Sequence, residues 1–188
     1  MKWLDNIKEK FGWSRLRKER PPLRTKEVHN FEDAQSVGIL YKEKGEGFYI
    51  LVKQYVKYLK SKHGIRDVMA FCYIDEKGNV PHYQVHKLKY DYFDKSEVNW
   101  RMEPISSQAT KFVETEYDIL IDLEREPVLP LQFILARSRA RFKVGYFGTG
   151  RSEYYDLMID VPPHATFDEY INQVNHYLTL INRGNARA

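Results

Sequence analysis

A chain of 188 residues, 43% hydrophobic and 14% aromatic, is long enough to bury a core and too apolar to stay disordered. Its single cysteine, Cys72, excludes an intrachain disulfide and a cysteine-rich zinc site. The net charge of +4 is uneven: residues 1–30 hold nine Lys/Arg against four Asp/Glu, a net +5 that leaves −1 for the remainder, and such asymmetry points to an anionic partner.

The first dozen residues predict a short amphipathic helix. Trp3, Leu4, Ile7 and Phe11 recur at helical period on one face, with Gly12 as its C-cap. A basic segment, SRLRKERPPLR, follows, and Pro21-Pro22 forbids further helix there. Residues 1–30 therefore read as an arm and linker, residues 31–183 as the domain, and 184–188 as a basic tail. An isolated helix this short is marginal in water, so it must dock on its own domain, on a partner or on an anionic membrane surface. The cationic and aromatic residues Lys2, Trp3, Lys8, Lys10, Trp13, Arg15, Arg17, Lys18 and Arg20 suit phosphate contact with stacking or insertion. Nucleic acid or a ribonucleoprotein, a protein, and a membrane touched peripherally through residues 1–20 are the candidate partners. No run approaches the roughly 18 apolar residues of a membrane span. MKWLDNIKEKF carries charge where a secretory signal is apolar. A cytoplasmic protein is expected, able to sit peripherally on the inner membrane.

Within the domain, SVGILYKE predicts a strand and FYILVKQYVKYLKSKHG a helix. Its apolar stripe is Phe48, Leu51, Val52, Tyr55, Val56 and Leu59, and Gly64 ends it. RDVMAFCYID is uniformly apolar, which fits a strand buried on both faces and an inert thiol at Cys72. This is a βαβ unit. LKYDYF suits an edge strand, and DKSEVNW one helical turn with Asp94 and Glu97 as a capping box. SSQATKFVETE predicts a short helix capped by Ser106 or Ser107. YDILIDL, VLPLQFILARSRA and RFKVGYFG give strand, helix and strand; SEYYDLMIDVP gives another strand. ATFDEYINQVNHYLTLIN closes the domain as a helix capped by Thr166 and Glu169, with Phe167, Tyr170, Ile171, Val174, Tyr177, Leu178 and Ile181 in its buried stripe. The alternation predicts a single Rossmann-like, open, mostly parallel α/β sheet of five or six strands with helices on both faces.

The combination of SVGILY, PHY, FDKSEVNW, YDILIDL, PLQFILARSRARFKVG, YYDLMIDV and INQVNHYLTLIN resembles a family of short uncharacterised Bacteroidetes proteins over residues 31–182. That family is a domain of unknown function, so the resemblance implies no activity. Residues 117–145 are also similar to part of the N-terminal half of heptosyltransferase-type glycosyltransferases: a strand ending in Asp-Leu, a helix, and a strand ending in Val-Gly. This resemblance implies a Rossmann-like half. Those enzymes need two such halves, with the sugar nucleotide held mostly by the C-terminal one.

The chemical candidates are few. Asp118 and Asp122 lie four apart on one strand and so share a face, with Asp122 at the carboxyl end where open α/β sheets bind ligands. The alternative is structural, Asp122 capping the loop that follows. Asp156 and Asp160 repeat the spacing, which favours the structural role. Gly148, Gly150 and Arg151 could cradle phosphate, but no helix follows them as in a P-loop, and a strand-to-strand turn explains them more simply. His82 and His86 lack a third ligand, so no metal is expected. The first loop, KEKGEG, is charged and lacks the dinucleotide fingerprint, so no cofactor is expected either. The favoured reading is a non-enzymatic binding or accessory module acting through the basic arm. Its rival is a small transferase-like or nucleotide-sugar-binding domain with a site around Tyr41, Asp122, Glu124 and Arg125. The rival requires a concave polar pocket at the carboxyl edge with titratable groups converging on it.

Overall fold

The structure, a computed structural model, describes residues 2–84, 89–148 and 153–181. Its six strands are β1 (Ser36–Lys42), β2 (Asp67–Ile74), β3 (Tyr90–Asp94), β4 (Ile119–Asp122), β5 (Phe142–Tyr146) and β6 (Leu157–Ile159). They form one sheet in the order β3-β2-β1-β4-β5-β6, and every pairing is parallel. Parallel neighbours need crossovers. Helices α2 (Glu46–His63), α3 (Ser107–Glu114) and α4 (Leu129–Arg137) carry three of them, with α1 (Lys2–Leu16) and α5 (Phe167–Leu180) completing the layers. This is the expected Rossmann-like arrangement. Its strand order reverses direction between β1 and β4, which pair directly through Leu40 and Asp122.

The strands are apolar on both faces because both are covered. Val37, Ile39 and Tyr41 of β1 join Ile119 and Ile121 of β4 under α2 and α5. The intervening Leu40 and Leu120 join Phe71 under α1, α3 and α4. The local signals fall where the sequence predicts them. Gly64 ends α2 in the left-handed region at φ 68°, which glycine adopts without strain. Asp94 and Glu97 form a capping box on a single 3₁₀ turn, Ser106 caps α3, and Thr166 with Glu169 caps α5. Two stripe positions differ. In α2, Tyr49 is buried instead of Leu51, because it meets Tyr83 and Tyr90 from the β2–β3 side. In α5, Tyr177 is 43% exposed, since Tyr170, Val174 and Leu178 already fill the seam.

The N-terminal segment corrects two expectations. Gly12 does not end a helix; α1 continues through it to Leu16. A Cβ at Gly12 would lie 2.5 Å from both the Arg101 carbonyl oxygen and Leu129 Cδ2, so only glycine lets α1 lie this close to α4. The face that packs on the domain is also not that of Ile7 and Phe11, for which the domain is one of three possible docking places. Leu16 is buried and Trp13 packs against the same cluster, whereas Ile7 and Phe11 are 37% and 55% exposed. Beyond α1 the chain runs along the amino edge of the sheet. The Arg24 guanidinium donates to the carbonyls of Ala140 and Arg141 and, bidentately, to Asp156 at 2.7 Å. The Glu27 and Phe31 amides donate to the carbonyls of Arg141 and Leu178. The segment read as a linker is thus fastened by a half-buried charge pair and by Phe31 in the core. Among the described residues no helix is long and apolar enough to cross a membrane.

Candidate functional site

A cleft of about 990 Å³ opens at the carboxyl edge, over the β1–β4 switch point. Its floor is Leu123, Glu124 and Arg125, which leave the end of β4. Lys42, Lys44 and Phe48 enter from β1 and the start of α2; Tyr73, Asp75 and Lys95 from beyond β2 and β3. The first turn of α4 forms one wall, and Glu9 and Trp13 of α1 form another. Tyr146 and Phe167 close the far side. α4 begins at Val128 without a side-chain cap, so the positive end of its backbone dipole lies along the cleft.

The charged groups here are arranged in pairs. Glu124 accepts the Lys42 backbone N–H at 2.8 Å and lies 2.9 Å from Lys44 Nζ. Burial holds its carboxyl above the usual range, against the opposing pull of the Lys44 charge. Asp75 pairs with Lys42 Nζ at 2.9 Å and Lys95 Nζ at 3.1 Å. Partial burial pushes Asp75 up, but these two lysines outweigh it and hold the carboxyl below the usual range. Lys42 therefore bridges the sites after β2 and β4, by its side chain to one and its backbone to the other. Arg125 donates to the carbonyls of Ala165 and Pro163 and lies over the Tyr146 ring at 5.5 Å. Lys44 lies over the Phe48 ring at 4.7 Å. Paired hydrogen-bonding groups and two partly buried rings, each with a cation over it, thus share one concave surface.

The residues singled out from sequence separate. Glu124 and Arg125 line the cleft. Asp122 lies fully buried beneath it. It accepts from Tyr155 Oη at 2.5 Å, Gln132 Nε2 at 3.2 Å and the Glu124 N–H at 2.9 Å; the last of these caps the loop. Tyr41 faces the opposite core, its hydroxyl 3.4 Å from Gln84 Oε1. Asp118 holds the starts of β1 and β4 together by accepting from the Gln35 and Ser36 amides and the Ser36 hydroxyl. Gly148 follows β5 and is not part of the cleft wall. Gly150, Arg151 and His86 lie outside the described residues, and so do the side chains of Lys2 and Trp3. Lys8, Lys10, Arg17, Lys18 and Arg20 are exposed, while Arg15 pairs with Glu19 and Glu103. Among the described residues no cluster of three metal-ligating side chains occurs.

Sequence reasoning missed Lys42, Lys44, Asp75, Lys95 and Phe48, and assigned Trp13 to a partner surface where it lines the cleft. The signal was available for some of them. Lys42 and Asp75 sit at or just past the ends of uniformly apolar runs, where an open parallel sheet presents its ligand edge. The loop after β1 is unsuited to pyrophosphate: Glu43 already accepts the Gly45 N–H and the Tyr83 hydroxyl, and Glu46 occupies the first turn of α2.

A six-stranded parallel sheet with a cleft at its switch point defines a Rossmann-like α/β architecture. The chain belongs to a family of unknown function, DUF6913, whose model matches residues 8–181 and so takes in most of α1. The fold is similar to that of a glycosyl transferase family 9 protein from Veillonella parvula DSM 2008, at 17% identity and a TM-score of 0.53. The similarity covers 82% of this chain and 44% of that one, so the chain spans less than half the length of that protein. At this identity the likeness concerns the fold. No curated protein matches the sequence.

Proposed function

We propose that the protein is a transferase-like domain that binds a sugar-bearing small molecule, such as a nucleotide sugar, in the carboxyl-edge cleft. The observation that carries this is the pairing of Glu124 with Lys44 and of Asp75 with Lys42 and Lys95 beside the partly exposed rings of Phe48 and Tyr146. Already-paired carboxylates and ammonium groups offer acceptors and donors to hydroxyls without a large net field, and the aromatic rings offer apolar faces to a sugar or base. A glycosyltransferase fold relative adds weight to a sugar over other polyols. Isothermal titration of the full chain against nucleotide sugars, free nucleotides and sugar phosphates tests the reading. At least one sugar-bearing compound is expected to bind, with Tyr146→Ala and Glu124→Gln each weakening it on the order of tenfold. Absence of binding across the panel, or binding unchanged in both variants, refutes it. The alternative of a binding module acting through its basic arm draws support from a different surface, the outer side of α1.

A further inference from the structure

α1 carries two apolar stripes. Gly12, Trp13 and Leu16 face the domain, and Glu9 on the same side lines the cleft. Ile7 and Phe11 project outward, and Phe11 meets the exposed Trp100 at 5.7 Å between ring centroids, in edge-to-face geometry. Lys8, Lys10 and Arg101 are exposed around this cluster. The nearby acids are drawn elsewhere: Glu19 and Glu103 are held by Arg15 and Arg137, and Glu9 faces the cleft. An apolar cluster of one aliphatic and two aromatic side chains, flanked by cations and, among the described side chains, with the nearby acids drawn elsewhere, does not arise from the needs of the fold.

We propose that this face is a docking surface for an anionic phospholipid bilayer, with Ile7, Phe11 and Trp100 entering the headgroup boundary and Lys8, Lys10 and Arg101 meeting lipid phosphates. Interfacial helices bind in this way, through buried apolar area plus attraction to anionic lipid, and tryptophan favours that depth. Charge complementarity selects the bilayer. A nucleic acid fits less well, because single-strand binding needs open aromatic faces. Here the Arg101 guanidinium lies 4.6 Å over the Trp100 ring, Phe11 abuts it, and Ile7 offers no ring.

Flotation of the full chain with vesicles tests the proposal, comparing phosphatidylcholine alone with an equal mixture of phosphatidylcholine and phosphatidylglycerol. Binding is expected only with phosphatidylglycerol, to weaken with salt, and to blue-shift tryptophan emission. The Ile7→Ser/Phe11→Ser and Lys8→Glu/Lys10→Glu pairs are each expected to lower binding on the order of tenfold or more. Both pairs change exposed side chains, so unchanged melting temperatures show that the fold is intact. The proposal is overturned if the chain does not float, or if it floats equally with phosphatidylcholine alone. Flotation unaffected by the Ile7/Phe11 pair also sinks it. So does loss of single-stranded RNA binding or of self-association, without loss of lipid binding, in those variants.

Discussion

Lys143 offers a stability test that follows directly from the fold. It is the second residue of β5, beside Leu120 of β4, and is 2% exposed. Its ammonium group donates to the Leu135 carbonyl at 2.6 Å, near the end of α4. Burial, and then the nearby Arg24 guanidinium, push its pKa down to about 7 from 10.5; Asp156 only partly opposes this. The folded pKa is below the unfolded one, so between these values the unfolded chain holds a proton the native chain has lost. Stability therefore rises with pH across that window, and the penalty is fully present below about pH 7. Its full size is about 5 kcal/mol. Integration leaves nearly all of it near pH 6 and about 2 kcal/mol near pH 9. Lys143→Met keeps the volume and removes the charge, at a loss of about 1 kcal/mol for the Leu135 hydrogen bond. The variant is expected to be more stable than wild type by about 4 kcal/mol near pH 6 and by about 1 kcal/mol near pH 9. Urea unfolding of both proteins at the two pH values measures this, and titrations elsewhere cancel in the difference. A gain that is constant, or that grows with pH, refutes the assignment of a buried, strained charge.

Two glycine substitutions test close approaches. A Cβ at Gly145 would lie 2.1 Å from the Tyr155 ring, whose hydroxyl is bound to the buried Asp122. Gly145→Ala is expected to cost about 3 kcal/mol or more, a fall of roughly 6–12 °C in melting temperature by calorimetry. In a free helix Gly12→Ala stabilises by about 1 kcal/mol. Against the Arg101 carbonyl and Leu129 it is expected instead to loosen α1, red-shifting Trp13 emission and opening the 17–23 segment to trypsin. A stabilised variant with unchanged fluorescence shows that the helix is not held there.

Much of the fold was legible because its signals are local. The apolar runs of β1, β2 and β4, the glycine after α2, and the Asp94–Glu97 and Thr166–Glu169 capping boxes each need only a few adjacent residues to be read. The site was less legible because it depends on strand order. Lys42 and Asp75 are brought together only when β2 lies beside β1, and Glu124 reaches Lys44 only when β4 lies on the other side. Tyr41 shows the sensitivity to parity. It sits one residue from Lys42, yet the pleat turns it into the α2–α5 core and away from the cleft. Asp118 lies just before β4 and Asp122 at its end. Both serve structure: one joins strand starts, the other supports the loop that positions Glu124.

The arm shows why a correct periodicity can name the wrong surface. Trp3, Leu4, Ile7 and Phe11 form the longer apolar stripe in sequence, and burial is the usual fate of such a stripe. The domain instead takes the shorter stripe, because the tightness of contact is set by Gly12 and not by the number of apolar residues. With no side chain at Gly12, α1 approaches Arg101 and Leu129 closely enough to bury Leu16 completely and to seat Trp13 at the cleft. A helix so held cannot turn its longer stripe inward without losing both contacts. Ile7 and Phe11 are thus left outward by the geometry that builds the cleft wall, and one helix links the two surfaces. A ligand that orders Trp13 and a bilayer that orders Phe11 each restrict the same 15-residue element. Each is therefore expected to lower the entropic cost of binding the other, as tighter ligand binding in the presence of phosphatidylglycerol vesicles.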